Sequence, residues 1–559
     1  MVRVSADAVA TAPPGRATRL HGGAAWIVVA LLCVAVSALN YAWLTRNTLP
    51  PHWDAANHMM SALKYHDVLS QCMAQPPLDV RAWKHCAGEL IYVDGDVYAP
   101  LFSAIGGVMT FAAGNSITAL AMTNVPFIAM LLAAMFVMGR RLYSPLAGIL
   151  AGVLLIAYPL VYQTSREFMF EFAILAWTAA GGCFLMLSER FRRPVMTMLF
   201  GVTVGLGALT KFTFLIFLIG PGVYVLGALL VDIVRHRIDA GEATRRLLTL
   251  AGALVLGAIV AAVWYGPHLV SFTNSLRTVA ALNPINAPVL SWPSLTYYLR
   301  TMVWTQMGPP LFLLFLFGVW RFGSRIDPDW RNLLIVWFVS IYAIATSVVI
   351  KVPNDDIGIL VPAALVSAIG LASIRRYTAV AVTVVCAFVA LQLAVLTLPE
   401  PMLGARIGTF GWEGVITPFP RTEDWKIEDA LRGVAAPNAR VGILSDHMFV
   451  NGTTFQFFTL KDRLPLQTEP CWRLRVDAPS GPDLAPYQAI VAKSDDEWIK
   501  PKADGCFRGS DGRARYAELL RRLGDGSSGF ALSRTLPLPD GSSLLVFSSG
   551  RSVQPAGPS

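Results

Sequence analysis

Asp54, Asn57 and His58 stand together in the run Pro50-Pro51-His52-Trp53-Asp54-Ala55-Ala56-Asn57-His58. Asp54 and His58 are four residues apart, so a helix through this run puts them on one face, with Asn57 on the same side. A carboxylate placed there could take a proton from a hydroxyl nucleophile. Other charges sit where apolar blocks end. They are Arg166, Glu167 and Glu171 in Ser165-Arg166-Glu167-Phe168-Met169-Phe170-Glu171, Lys211 in Leu209-Thr210-Lys211-Phe212, and Lys351 in Lys351-Val352-Pro353-Asn354-Asp355-Asp356. Ionisable groups at membrane depth are costly and mark function by default. Lysine and arginine at that depth can hold a phosphate. Together these residues predict transfer of a group from a lipid phosphate to an acceptor hydroxyl. Plainer readings stand beside this one. Trp and His are common at interfaces, Lys211 can snorkel to headgroups, and Arg166 with Glu171 can form a structural ion pair.

The elements that position these residues must be membrane spans. Only 14% of the 559 residues are charged, against about 25% in soluble proteins, and mean hydropathy is +0.53. The deficit runs from about residue 24 to 398, too long for one soluble core. Apolar windows fall near 24–44, 117–138, 146–161, 172–187, 195–210, 212–231, 248–265, 303–320, 332–350, 357–374 and 378–398, with a shorter one at 98–114. Each must be helical, because hydrocarbon offers the backbone no partner. The fold class is a polytopic α-helical membrane protein of about 11–12 spans. The first window reads as a permanent helix rather than a signal peptide, behind a cytoplasmic N-terminal arm at 1–23 that holds Arg3, Arg16 and Arg19.

Arginines punctuate alternate gaps: Arg140 and Arg141; Arg190, Arg192 and Arg193; Arg235, Arg237, Arg245 and Arg246; Arg321, Arg325 and Arg331; Arg375 and Arg376. The positive-inside rule places these gaps in the cytoplasm. The count closes if 98–114 is a re-entrant or interfacial helix; the alternative is that it crosses and another boundary is miscounted. The large first loop, 45–97, and the C-terminal domain then lie outside. The net charge of +9 is topological, and no basic stripe supports nucleic-acid binding. Cys72 and Cys86 share the first outer loop, and Cys471 and Cys506 share the C-terminal domain. Both pairs suit disulfides in an oxidising compartment, with free thiols as the alternative.

From about 402 to 549 ordinary charge density returns, and the segment reads as a soluble extracytoplasmic α/β domain. A helix is predicted from Thr422, as N-cap, through Leu431. Strands are predicted at Arg440–Ser445, Ala489–Ala492 and Ser543–Phe547. Asn451-Gly452-Thr453 fits a glycosylation sequon, a pattern that chance also produces. The tail at 550–559 is expected to be disordered.

Residues 24–398 resemble the polyprenyl-phosphate-sugar-dependent glycosyltransferases of the GT-C fold, a group that includes protein O-mannosyltransferases and lipid A aminoarabinose transferases. The resemblance rests on Asp54 after the first span, Tyr98-Ala99-Pro100-Leu101, Ser165-Arg166 through Glu171, and Leu209-Thr210-Lys211. Lys351, with Pro362 in the span after it, matches a further position. It implies inverting transfer of a sugar from a polyprenyl phosphate to an acceptor glycan, lipid or protein, at the outer face of a bacterial plasma (inner) membrane. Asp54 would be the base and Glu171 a second acid. Arg166, Lys211 and Lys351 would hold the donor phosphate, with His58, Asn57 and Tyr98 in support. Three positions depart from the pattern: Ala55 follows Asp54 where an acid is common, Ala99 replaces a proline, and Glu171 replaces an aspartate. Some relatives use a divalent metal, and Asp54, His58 and Glu171 form a partial ligand set without compact spacing. The alternative function is a transporter or flippase of a lipid-linked sugar.

Overall fold

The computed structural model describes residues 22–397 and 419–550, apart from 77, 94–97, 283–287, 349–350, 375, 435, 477–481, 497–505 and 508. Nearly all of the predicted arm, Arg375 and the tail after 550 therefore lie outside the described residues.

Among the described residues seven helices are long and apolar enough to cross a membrane: Gly23–Leu44, Ile117–Leu142, Phe170–Leu187, Phe212–Val234, Ala240–Arg277, Pro328–Ser347 and Thr378–Thr397. Trp292–Gln306 and Pro309–Phe322 make an eighth if taken as one span bent by 120°. The bend falls at Gly308, whose φ of +73° suits glycine, and at Pro309, which has no N–H to continue a helix. Four shorter apolar helices remain, Leu101–Ala113, Pro145–Ala157, Pro194–Ala208 and Ile357–Ala372. The predicted 11–12 spans thus divide into full-length, bent and short helices. A 13-residue helix rises only about 20 Å against roughly 30 Å of hydrocarbon. One short helix is extended past a break by Pro159–Thr164.

The arginine-bearing connections meet at one end of this bundle. Arg190 pairs with both Asp232 and Asp329, and Arg141, Arg192 and Arg193 share Glu189. Arg321 Nε donates to Ser373 Oγ at 3.1 Å. The Glu171 and Lys211 ends of the same helices lie opposite, joined at 3.1 Å.

At that opposite end the Trp53–Met73 helix carries Asp54. The Leu101–Ala113 helix packs along it. A Cβ on Gly107 would come within 2.8 Å of Ala62 O and 2.9 Å of His66 N, so the two backbones touch. Thr110 Oγ1 and His66 Nδ1 share a 2.7 Å hydrogen bond beside this contact. Leu101 N donates to Leu209 O at 3.0 Å, tying the start of the short helix to the Lys211 turn.

The C-terminal region holds a five-stranded sheet of β1 (Ala439–Ile443), β2 (Leu466–Pro470), β3 (Ala489–Lys493), β4 (Phe530–Pro537) and β5 (Ser543–Ser549), in the order β2-β1-β3-β5-β4. β1 pairs in parallel with β2 and β3, while β5 runs antiparallel to β3 and β4. Three strands were expected; β2 and β4, and the helices Gly452–Lys461 and Gly512–Gly524, were not. The predicted cap at Thr422 gives way to a helix that starts at Ile427, after Lys426 at φ +58°. Asn451 is buried and caps the Gly452–Lys461 helix by accepting from Thr454 N at 3.0 Å; its amide donates to His447 O and Met448 O. An asparagine so placed is a cap rather than a glycan acceptor.

The sheet domain docks on the Asp54 end. Thr454 Oγ1 donates to Pro51 O at 3.0 Å, and Thr48 N donates to Arg421 O at 2.8 Å. One buried apolar cluster runs unbroken from Met59 and Leu63 to Phe455 and Phe458. We predict that Gly107→Leu lowers stability by about 1–3 kcal/mol through overpacking, read as a lower melting temperature in detergent, whereas Gly222→Leu, with nothing within 4 Å, changes it little.

Candidate active site

The Trp53–Met73 helix begins directly after the two prolines, so Asp54 lies in its first turn. That position favours an anion. Asp54 stays open to solvent, but the walls around it remove much of its water. Burial raises its carboxyl above the usual aspartate range; His52 and Lys211 pull it down, and Glu171 pushes it up. One turn on, His58 is buried, with its ring 4.1 Å from that of Phe170 and 4.8 Å from that of Tyr98. Burial drives the imidazole down to about 3, so it is a neutral packing group at physiological pH.

Glu171 opens the Phe170–Leu187 helix and is buried. Its Oε1 takes the Lys211 ammonium at 3.1 Å, and its Oε2 has no partner. Lys211 sits in extended backbone between the Pro194–Ala208 helix and a turn of 3-10 helix. Burial alone would lower its ammonium, but Glu171, then Asp355 and Tyr98, raise it above the usual lysine range. Asp355 reaches this group from the connection after Pro328–Ser347. Burial pushes its carboxyl up to about 6, against the pull of Lys211. The loop is held by Gln306, whose amide donates to Asp356 Oδ1 at 2.6 Å and to Pro353 O at 2.7 Å. Acids and one half-buried cation thus meet at the mouth of the bundle. The arrangement can accept a proton at Asp54 and steady negative charge at Lys211.

No protein-family model and no curated protein matches the sequence. Among solved structures the chain is similar to ArnT from Cupriavidus metallidurans in the apo state, with TM-score 0.58 and 13% identity over 94% of this chain and 98% of that one. The same protein bound to undecaprenyl phosphate gives TM-score 0.55 and 13% identity over 93% and 98%. The archaeal oligosaccharyltransferase AglB from Archaeoglobus fulgidus, in complex with an inhibitory peptide and a dolichol-phosphate, gives 0.51 and 11% over 93% and 74%. The chain has the GT-C fold.

Within this GT-C body the predicted site residues separate into two groups. Asp54, His58, Tyr98, Glu171 and Lys211 come together. Asn57 lies one turn along, where its backbone carbonyl accepts from Ser61 Oγ at 3.2 Å. Arg166 is elsewhere. Its guanidinium lies between the rings of Trp43 and Tyr162, at 4.4 and 4.5 Å, and donates to Leu396 O at 3.4 Å. Glu171 pairs with Lys211, not with Arg166 as the plainer alternative reading has it. Lys351 caps the Pro328–Ser347 helix, donating to Thr346 O and Val348 O at 2.7 Å each, as cations do at helix C-termini. Cys72 pairs with Cys86 and Cys471 with Cys506, with Cα atoms 5.6 and 5.9 Å apart.

A divalent metal does not fit these residues. Among the described residues no three His, Cys, Asp or Glu gather as ligands. Lys211 already occupies one oxygen of Glu171, and His58 is packed against two rings. Asp355 is the group that sequence reasoning passed over. Its signal in the sequence is the acidic pair Asp355-Asp356 at a span end, beside Lys351.

We predict that Lys211→Met leaves Glu171 buried and unpaired. Breaking such a pair costs up to about 3–5 kcal/mol, less here because the Lys211 side chain is 25% exposed. Thermal unfolding should show the loss, and the double variant Lys211→Met/Glu171→Gln should recover most of it.

Proposed function

We propose that this protein is an inverting glycosyltransferase that moves a sugar from a polyprenyl-phosphate donor to an acceptor hydroxyl at the extracytoplasmic face. The observation that carries the reading is an accessible carboxylate, Asp54, beside a half-buried lysine held by Glu171, at the mouth of a GT-C body. ArnT, the similar structure, has been captured with undecaprenyl phosphate. The arginine-rich end opposite the site supports the sidedness, as do paired cysteines near the site end and in the sheet domain. The charges gather at one end rather than midway, which favours transfer over carriage across the bilayer.

In this mechanism Asp54 accepts the acceptor's hydroxyl proton. The oxygen attacks the anomeric carbon from the face opposite the phosphate. The bond between that carbon and the phosphate oxygen breaks, and the phosphate leaves with its electron pair. Lys211 steadies the charge that develops there, and Glu171 keeps the lysine in place and charged. We assign Arg166 and Lys351 to structure, because each already has its partners in the aromatic sandwich and the helix cap. The sugar is a hexose or pentose, and the acceptor is a cell-envelope glycan, lipid or protein.

Purified protein incubated with polyprenyl-phosphate sugars tests this. Asp54→Asn should lose transfer by about 10²–10⁴-fold while folding normally; unchanged transfer would remove Asp54 as the base. The acid limb of the pH profile also has a sign. Asp54 works deprotonated, so its raised pKa places the limb above the ordinary aspartate value of about 3.9. Glu171 raises Asp54, so Glu171→Gln should move the limb to lower pH. A limb that moves upward contradicts the arrangement.

A further inference from the structure

A second cleft lies away from Asp54, between the far half of the Trp53–Met73 helix and the sheet domain. Its volume is about 420 Å³, within the range of small-molecule sites. Its walls come from three separate parts of the chain. Asp67 belongs to the long helix, Asn115 to the turn after Leu101–Ala113, and Gln456, Thr459 and Arg463 to the helix Gly452–Lys461 and its exit. The edge strand β2 closes it through Thr468.

The chemistry of the lining narrows the ligand. Amide side chains donate and accept, and so do hydroxyls, which matches the alternating needs of sugar hydroxyls. Leucine side chains between them, Leu63 and Leu460 among others, offer aliphatic carbon to the C–H faces of a sugar ring. Asp67 and Arg463 bring opposite charges, so net charge does not select an anion. A peptide strand suits the cleft less well. Strand addition needs a free edge, and here Gln456 Nε2 already donates to Thr468 O at 3.1 Å. Arg463 adds a second observation. It holds φ +50° just after the Gly452–Lys461 helix, where Leu464 N closes on Thr459 O at 3.0 Å. Glycine is the usual residue at that position, yet the chain keeps a long cation there, at the cleft.

We propose that this cleft binds a neutral, hydroxyl-rich oligosaccharide, the remote part of the acceptor. Its role as an acceptor site rests on the glycosyltransferase reading, whereas the binding itself does not. Asp67 lies thirteen residues beyond Asp54 on one helix, about 20 Å at 1.5 Å per residue. A monosaccharide cannot bridge that distance, so the acceptor is a chain of sugars with its reacting hydroxyl at Asp54.

The test presents neutral oligosaccharides, their phosphorylated forms and unstructured peptides to the full-length protein in nanodiscs. Neutral oligosaccharides should be retained. Gln456→Ala and Asp67→Asn should each weaken retention roughly tenfold. Asn115→Trp, which fills the cleft from a turn, should abolish it. The proposal is overturned if no neutral glycan is retained, if phosphorylated glycans or peptides are preferred, or if the cleft variants bind as the parent does. Normal sugar transfer by Asp54→Asn with retention intact would sink the catalytic assignment and leave the cleft standing. Transfer lost in Asp54→Asn with no glycan retained would sink the cleft alone.

Discussion

The Lys211–Glu171 ion pair is the interaction on which the site depends. Neither charge could stand alone at that depth, since an isolated ion there costs several kcal/mol. Together they become tolerable, and their pairing dictates local geometry. The Pro194–Ala208 helix has to end where Lys211 can reach Glu171. The next helix has to restart through a 3-10 turn, with almost no polar spacer. The backbone bond from Leu101 N to Leu209 O then fixes the helix that supports Asp54. A charge requirement thus sets the position of the candidate base through two steps of packing.

The sheet domain belongs to the same construction. It docks on the residues immediately before Asp54, through Pro51 and Thr48, and shares an apolar core with the Trp53–Met73 helix. That helix is too polar to enter the bilayer and too apolar on one face to stay in water. The Leu101–Ala113 helix covers one side and the Gly452–Lys461 helix another. The sheet domain is therefore a wall of the Asp54 end of the bundle.

Sequence alone reaches the membrane fold, and it brings Asp54 into view as a candidate, because both are local signals. Long apolar runs announce helices, and Asp54 sits in a polar run just after the first span. Lys211 was visible for the same reason, as a lone charge between apolar blocks. Its partner was harder to see, since Arg166 is five residues from Glu171 and Lys211 is forty away. Only the packing of two spans selects the distant one. Arg166 finds Trp43 and Tyr162 instead, aromatic surfaces whose approach no short motif encodes. Asp355 was hidden by its neighbours, because a run of Lys, Asn and two Asp does not say which side chain turns inward. In the sheet domain, β4 is mostly exposed and so lacks the apolar alternation that marks a strand.

The departure at Ala55 gains meaning from this geometry. A second acid after Asp54 would add negative charge to a mouth that already holds Asp54, Glu171 and Asp355. A mouth of that composition would call for a strong counter-charge such as a divalent metal. With a small buried alanine there, one lysine balances Glu171, and burial raises the Asp355 carboxyl to about 6. In the proposed mechanism the positive charge for a departing phosphate then comes from a side chain fixed by its own ion pair. It needs little reorganisation when the charge appears, which is the condition under which a preformed cation contributes most to a transition state.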